Sequence, residues 1–151
     1  NTVSLMPCNL YGTNDTYDLV NGHVFPAFVR RFVEAARENR PEEVLWGTGK
    51  PLREFLHVDD VANAVYYFMQ NHNEPEIINV GYGTDITIRE LAEKIAAAAG
   101  FKGKINWDAS KPDGMYRKLM DSSKARALGW RPQITLDEGI IRTVAEYQKL
   151  S

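Results

Sequence analysis

Thr2-Val3-Ser4-Leu5-Met6 runs directly into Pro7-Cys8-Asn9-Leu10-Tyr11-Gly12, and this change of character decides the fold class. The first group has strand chemistry, with β-branched and aliphatic side chains. The second introduces Pro, Asn and Gly, and from Pro7 to Gly22 the chain is rich in Asn, Asp, Gly and Thr, which predicts a loop over 7–22. A loop of that length inside a compact domain more often carries function than serves as a spacer. In open α/β sheets ligands bind outside the carboxyl ends of the strands, so the switch after Met6 marks a ligand-facing edge. The strand opens the chain with no initiator methionine, and its backbone groups need partners. Earlier strands of its sheet are therefore expected in sequence upstream of Asn1.

Working outward, Phe25, Phe28, Val29, Phe32, Val33 and Ala36 recur at helical spacing, with Pro26 tolerated in the first turn. They predict a helix over 23–38. Val44-Leu45-Trp46 and Glu54-Phe55-Leu56-His57-Val58 read as strands on either side of a Gly47-Thr48-Gly49-Lys50-Pro51 turn. Asp59 and Asp60 are placed to cap the next helix, whose stripe is Val61, Val65, Phe68 and Met69. Ile77–Val80 predicts a further strand. Thr87-Ile88-Arg89-Glu90 is a capping box for a helix that Gly100 stops, and Lys104–Trp107 is strand-like. Ser110 to Arg117 is a polar loop, and Thr135-Leu136-Asp137-Glu138 is a second capping box opening the last helix. The sum is one alternating α/β region over 1–151, with no repeat or linker to divide it.

The 18 basic and 20 acidic residues leave a formal charge of −2, so no global field draws the chain to nucleic acid or to an anionic membrane. The single cysteine, Cys8, cannot form an internal disulfide, and no signal peptide or long apolar span is visible. A reducing cytoplasm is the expected compartment. None of the seven tyrosines has Lys four positions later, and no G-x-G-x-x-G occurs. His23, His57, His72 and Cys8 lack metal-ligand spacing. Catalysis by this segment alone is not predicted.

Several motifs remain: Pro7-Cys8-Asn9-Leu10-Tyr11-Gly12, Gly22-His23-Val24, Trp46-Gly47-Thr48-Gly49, Pro51-Leu52-Arg53-Glu54-Phe55, Val58-Asp59-Asp60, Lys111-Pro112-Asp113-Gly114 and Leu128-Gly129-Trp130-Arg131-Pro132. In this order they resemble the extended short-chain dehydrogenase/reductases that modify nucleotide sugars. Gly-His-Val together with Trp-Gly-Thr-Gly and Lys-Pro-Asp-Gly is narrower, and is similar to the GDP-L-fucose synthases. The resemblance implies the C-terminal, substrate-binding portion of a Rossmann-type enzyme, comprising its last strands and helices and a small α/β substrate domain. The N-terminal NADP-binding half would lie outside the chain. It further implies 3,5-epimerisation of GDP-4-keto-6-deoxy-D-mannose followed by NADPH-dependent 4-reduction, in a protein that is a homodimer when full length. The segment alone is expected to be inactive.

The same resemblance distributes roles among residues. Epimerisation beside a carbonyl needs one acid and one base, and His23 matches one of the pair; imidazole titrates near neutrality and can take and give a proton. By periodicity alone, His23 reads as a helix-start residue bonding the backbone. Pro7, Cys8, Asn9 and Leu10, with His23, match the segment beside the nicotinamide end of NADP. A plain turn with Asn9 bonding its own backbone is the alternative. Cys8 itself reads as a small buried hydrophobe, not a catalytic thiol.

Arg31, Trp46, Arg53 and Asp113 match contacts to the GDP-sugar. Guanidinium suits a diphosphate, indole suits a flat base, and a carboxylate accepts from hydroxyls or a guanine edge. Their alternatives are a solvated surface charge for Arg31, a strand-core aromatic for Trp46 and a bare turn for Asp113. Lys118 is a further candidate to approach the ligand. Where the family continues Lys-Pro-Asp-Gly with Thr-Pro, this chain has Met115-Tyr116. Asp59, Asp60, Glu90 and Glu138 are assigned to helix capping.

Overall fold

The computed structural model describes residues 2–19 and 22–150. Four short parallel or mixed strand groups are bridged by helices. Strand β1 (Ser4–Pro7) pairs in parallel with β6 (Ile77–Val80), and β2 (Asn9–Tyr11) pairs in parallel with β5 (Phe55–His57). Strand β3 (Glu42–Trp46) runs parallel to β8 (Lys104–Asp108). In the remaining group β4 (Leu52–Arg53) lies between β7 (Ile86–Thr87), antiparallel, and β9 (Arg117–Lys118), parallel. The helices are α1 (Val24–Arg37), α2 (Val58–Asn71), α3 (Ile88–Ala99), the short α4 (Ser123–Ala127) and α5 (Leu136–Leu150).

Two cores form, one on each face of the β2–β5 pair. Tyr11 and Phe55 join Phe25, Phe32, Leu91, Ile95, Ile140 and Val144 where α1, α3 and α5 converge. Leu56, with Leu10 packed beside it, faces Ala64, Phe68, Ile78, Val80, Ala125 and Trp130. Alternate residues of one strand therefore enter different cores, which explains why Phe55-Leu56-His57 is buried throughout instead of alternating with polar residues.

Several local expectations change on contact with tertiary structure. The predicted 7–22 loop contains β2, because residues 9–11 find a parallel partner 46 positions later that no local pattern announces. The expected 54–58 strand is shortened to Phe55–His57, which pairs with β2: Val58 already belongs to α2, and Glu54 stands between this strand and β4 of the β7–β4–β9 group. Asp59 and Asp60 do not cap α2. The N-cap is His57, whose Nδ1 accepts the Asp59 N–H at 3.2 Å. Asp60, only 2% exposed, instead accepts the Gln133 and Ile134 N–H groups at 2.8 and 3.1 Å, fastening the segment before α5 to α2.

The Thr87/Glu90 box forms in both directions, and Gly100 ends α3 in the left-handed conformation. The Thr135/Glu138 box forms only half, since the Glu138 carboxylate is taken by Arg142 at 2.6 Å.

Asp60→Ala removes the acceptor of two backbone donors, one of them fully buried. It should destabilise the protein by about 2–4 kcal/mol, read as a lower denaturation midpoint with an unchanged denaturant slope. A change under ~0.5 kcal/mol would contradict this account.

Candidate functional site

A cleft of about 650 Å³ opens at the carboxyl ends of β1 and β2. Pro7, Cys8, Asn9, Leu10, His23, Arg53 and Lys118 all line it. Beside it lies a groove of about 250 Å³ lined by Arg31, Trp46, Arg53, Asp113 and the apolar Val24 and Phe28. Val24 and Arg53 belong to both linings, so the two spaces meet at the Arg53 guanidinium. Every candidate residue thus lies in one continuous region, although they are spread from position 7 to position 118.

His23 occupies the N-cap position of α1, but its exposed side chain makes no capping hydrogen bond. The helix-start reading therefore does not account for the imidazole, which faces the cleft opposite Asp15. Burial pushes the Asp15 carboxyl above its ordinary range, while the Thr16 N–H and the charge of His23 pull it back. Asn9 does not bond its own backbone; its amide donates to the Glu54 carbonyl at 2.7 Å.

The Cys8 thiol is pushed up to about 12, first by burial and then by the nearby Glu54 carboxylate. A raised value favours the neutral thiol, which is unreactive. Alkylation of Cys8 at pH 8 should therefore run at least about tenfold slower in the folded protein than after unfolding in denaturant, as followed by mass spectrometry. Equal rates would place Cys8 in a different environment.

Cations gather where the two spaces meet. Parallel register sets Arg53 opposite Lys118 across β4 and β9. Arg53 donates one N–H to the Leu52 carbonyl at 2.7 Å, and among the described residues neither cation is paired with a carboxylate. Arg31 differs. Its Nε meets the buried Glu43 carboxylate at 2.6 Å and its Nη2 donates to the Val44 carbonyl at 2.7 Å, so it is anchored with its remaining N–H groups toward the groove. A free surface charge does not describe it.

Trp46 is 71% exposed, so it is not a core aromatic. Its ring stands at the groove with the Lys111 ammonium 5.6 Å from the centroid. The Asp113 carboxylate accepts the Thr48 N–H and the Thr48 hydroxyl, both at 2.6 Å, and these two donors hold it below the usual carboxylate range. The Lys-Pro-Asp-Gly loop is thereby fastened to the turn after β3. A side chain at Gly47, which has φ +83°, would come within 2.4 Å of Asp113 Oδ1, so the fastening requires glycine there.

Sequence reasoning passed over Thr48, Glu43, Asp15 and Glu54. Only Glu54 left a visible signal, as the acid of an Arg53-Glu54 pair set between the apolar Leu52 and Phe55-Leu56. Among the described residues no cluster of His, Cys, Asp or Glu could hold a metal, and no helix is long and apolar enough to cross a membrane.

An alternating α/β fold with its cleft at the strands' carboxyl ends defines a class, and the match of residues 1–81 to the NAD dependent epimerase/dehydratase family shows that the chain belongs to that family. Within it, the chain is similar to GDP-L-fucose synthase 1 of Arabidopsis thaliana, 51% identical over 147 residues, covering 97% of this chain and 46% of that protein. It is also similar to GDP-L-fucose synthase of Escherichia coli K12, 48% identical over 149 residues, covering 93% of this chain and 46% of the relative. Among solved structures, a GDP-L-fucose synthetase from Naegleria fowleri bound to NADP superposes with a TM-score of 0.91 at 29% identity, covering 97% of this chain and 46% of that one. The chain thus spans about half the length of the relatives it matches, and these comparisons agree with the fold class expected from the motifs.

Proposed function

We propose that this chain is the nucleotide-sugar-binding part of a GDP-L-fucose synthase, converting GDP-4-keto-6-deoxy-D-mannose to GDP-L-fucose by 3,5-epimerisation and NADPH-dependent 4-reduction. The observation that carries the reading is the junction at Arg53. A groove with an exposed indole meets a cleft with an uncapped imidazole at a guanidinium that has no carboxylate partner among the described residues, an arrangement that supports the order base, diphosphate, sugar.

In this reading Trp46 offers its face to the guanine. Arg53, with Lys118 beside it and Arg31 anchored nearby, binds the diphosphate through planar or point-charge donors. Asp113, already ordered by Thr48, accepts from the nucleoside through its remaining lone pairs. His23 moves a proton at a carbon flanking the 4-keto group, whose carbonyl stabilises the carbanion as an enolate. The opposite face needs a second acid/base, which the resemblance assigns to sequence outside this chain.

The nicotinamide end of NADP fits the Pro7–Leu10 segment. That segment lies at a strand's carboxyl end, where dinucleotides bind in such sheets, and it presents an ordered Asn9 and a thiol kept neutral. When bound, the cofactor supplies hydride for reduction at C4. Pro7, Cys8, Asn9, Leu10 and His23 would border it. The phosphate-binding half belongs to the rest of the protein, in keeping with the chain's share of its relatives and with the exposed apolar side chains Met6, Tyr66, Met69 and Ile77. The reading extends to a cytoplasmic homodimer for the full-length protein, as the resemblance implies, and to a chain that alone oxidises no NADPH.

Turnover of GDP-4-keto-6-deoxy-D-mannose with NADPH by the full-length protein, with GDP-L-fucose as product, is the test. Conversion of UDP- or dTDP-linked sugars in its place would sink the proposal.

A further inference from the structure

Glu54 sits where one run of chain passes from the β4 group to the β2–β5 pair, and it is 0% exposed. Its side chain ties together segments that the sequence keeps far apart. Oε1 accepts the Gly83 N–H at 2.6 Å, and Oε2 accepts the Met120 N–H at 3.1 Å. Its main-chain carbonyl, separately, accepts the Asn9 amide at 2.7 Å. No cation among the described residues is paired with it. Burying an acid against backbone donors alone is costly, and an apolar side chain would fill the space while leaving two N–H groups without acceptors.

The tie to Met120 bears on the site. Lys118 belongs to a two-residue strand whose register partner is Arg53, and residues 111–119 are exposed throughout. So short a ladder is marginal on its own. It is fastened on both sides: the Leu52 N–H donates to the Tyr116 carbonyl at 2.8 Å before it, and the Met120 N–H reaches Glu54 after it. Glu54 follows Arg53 by one residue and Met120 follows Lys118 by two, so the second fastener fixes Lys118 against Arg53. The Gly83 tie supports it from behind. A side chain at Gly81 would come within 2.5 Å of Glu54 Oε1 and 2.9 Å of Ser122 Oγ, so this loop is pressed flat against the carboxylate.

We propose that Glu54 is a positioning residue for the anion site: through the Met120 N–H it holds Lys118 beside Arg53, without itself touching ligand. This rests on the reading above that these two cations meet the diphosphate. It also separates two functions within one residue, because the side chain orders the cation pair while the main-chain carbonyl orders Asn9.

The test uses the full-length protein. Glu54→Gln preserves volume but turns one acceptor oxygen into an NH₂ facing a backbone N–H, which opens one of the two ties. GDP affinity by calorimetry, and KM for the nucleotide sugar, should weaken about tenfold, whereas KM for NADPH should move less than about twofold because the Asn9 contact survives. In a Lys118→Met background the same change should cost little further affinity. An unchanged GDP affinity in a folded but less stable Glu54→Gln protein would overturn the proposal, as would strictly additive losses with Lys118→Met. If Glu54→Gln does not fold, Glu54→Asp, which keeps the charge and shortens the reach, carries the same comparison. Wild-type protein that binds no GDP would refute the functional reading separately. The clamp is then read by hydrogen exchange in Glu54→Ala, which removes both acceptors: exchange at Met120 and Gly83 is expected to quicken at least tenfold, and unaltered exchange at Met120 would refute it.

Discussion

Replacing His23 with glutamine in the full-length protein is expected to abolish solvent-deuterium incorporation at C3 and C5 of the sugar, with turnover to GDP-L-fucose falling about 10²- to 10⁴-fold. Glutamine keeps a polar side chain of similar reach but cannot take and return a proton near neutral pH. The geometry makes this a clean substitution. His23 is exposed and makes no capping bond, so its loss should change stability by less than about 0.5 kcal/mol. A fall in activity then reports chemistry and not unfolding. Undiminished deuterium incorporation by a folded His23→Gln protein would remove His23 from the acid/base role.

Arg53→Met should weaken GDP binding by about 2–3 kcal/mol, roughly 30- to 150-fold in Kd by calorimetry. Methionine retains the aliphatic stem that packs between the two clefts and deletes the charged fork. Arg53→Lys should fall between, since it restores a charge without the planar pair of donors. Because Arg53 is not paired with a carboxylate among the described residues, its removal strips no described acid of an ion-pair partner. The loss therefore reports ligand contact. GDP affinity unaltered by Arg53→Met would separate the two clefts and dissolve the order of base, diphosphate and sugar.

The two residues differ in how visible they were beforehand. Both were singled out by motif resemblance, but periodicity alone made His23 a helix-start residue. What freed it is a backbone that enters α1 in extended conformation while the imidazole turns to the cleft. Trp46 shows the same limit. Alternation along β3 places Val44 and Trp46 on one face and Leu45 on the other, yet only the packed structure tells which face is core: Leu45 is buried and Trp46 is not.

Helices were the most legible elements, because an apolar stripe, a capping box and a terminal glycine act within a few residues of one another. The helix predicted over 23–38 is observed as Val24–Arg37, and the Thr87 box opens α3 as expected. Caps were less legible where a remote group competed. Asp60 looks like a cap, but two N–H groups more than 70 positions away claim its carboxylate, and Arg142 takes the one that would have completed the Thr135 box.

By itself, the sequence determined an alternating α/β chain and its principal helices, and it pointed to a candidate ligand edge after Met6 and to residues whose chemistry suits a nucleotide-sugar site. Those follow from local forces and from motifs readable in order. Only the tertiary structure decided that residues 9–11 form a strand, that the strand around Glu54 changes sheets there, that Arg53 and Lys118 stand side by side, and that a buried acid connects them. Each of these depends on a hydrogen bond or register between residues dozens of positions apart, and such pairings leave no periodic trace in the chain that makes them.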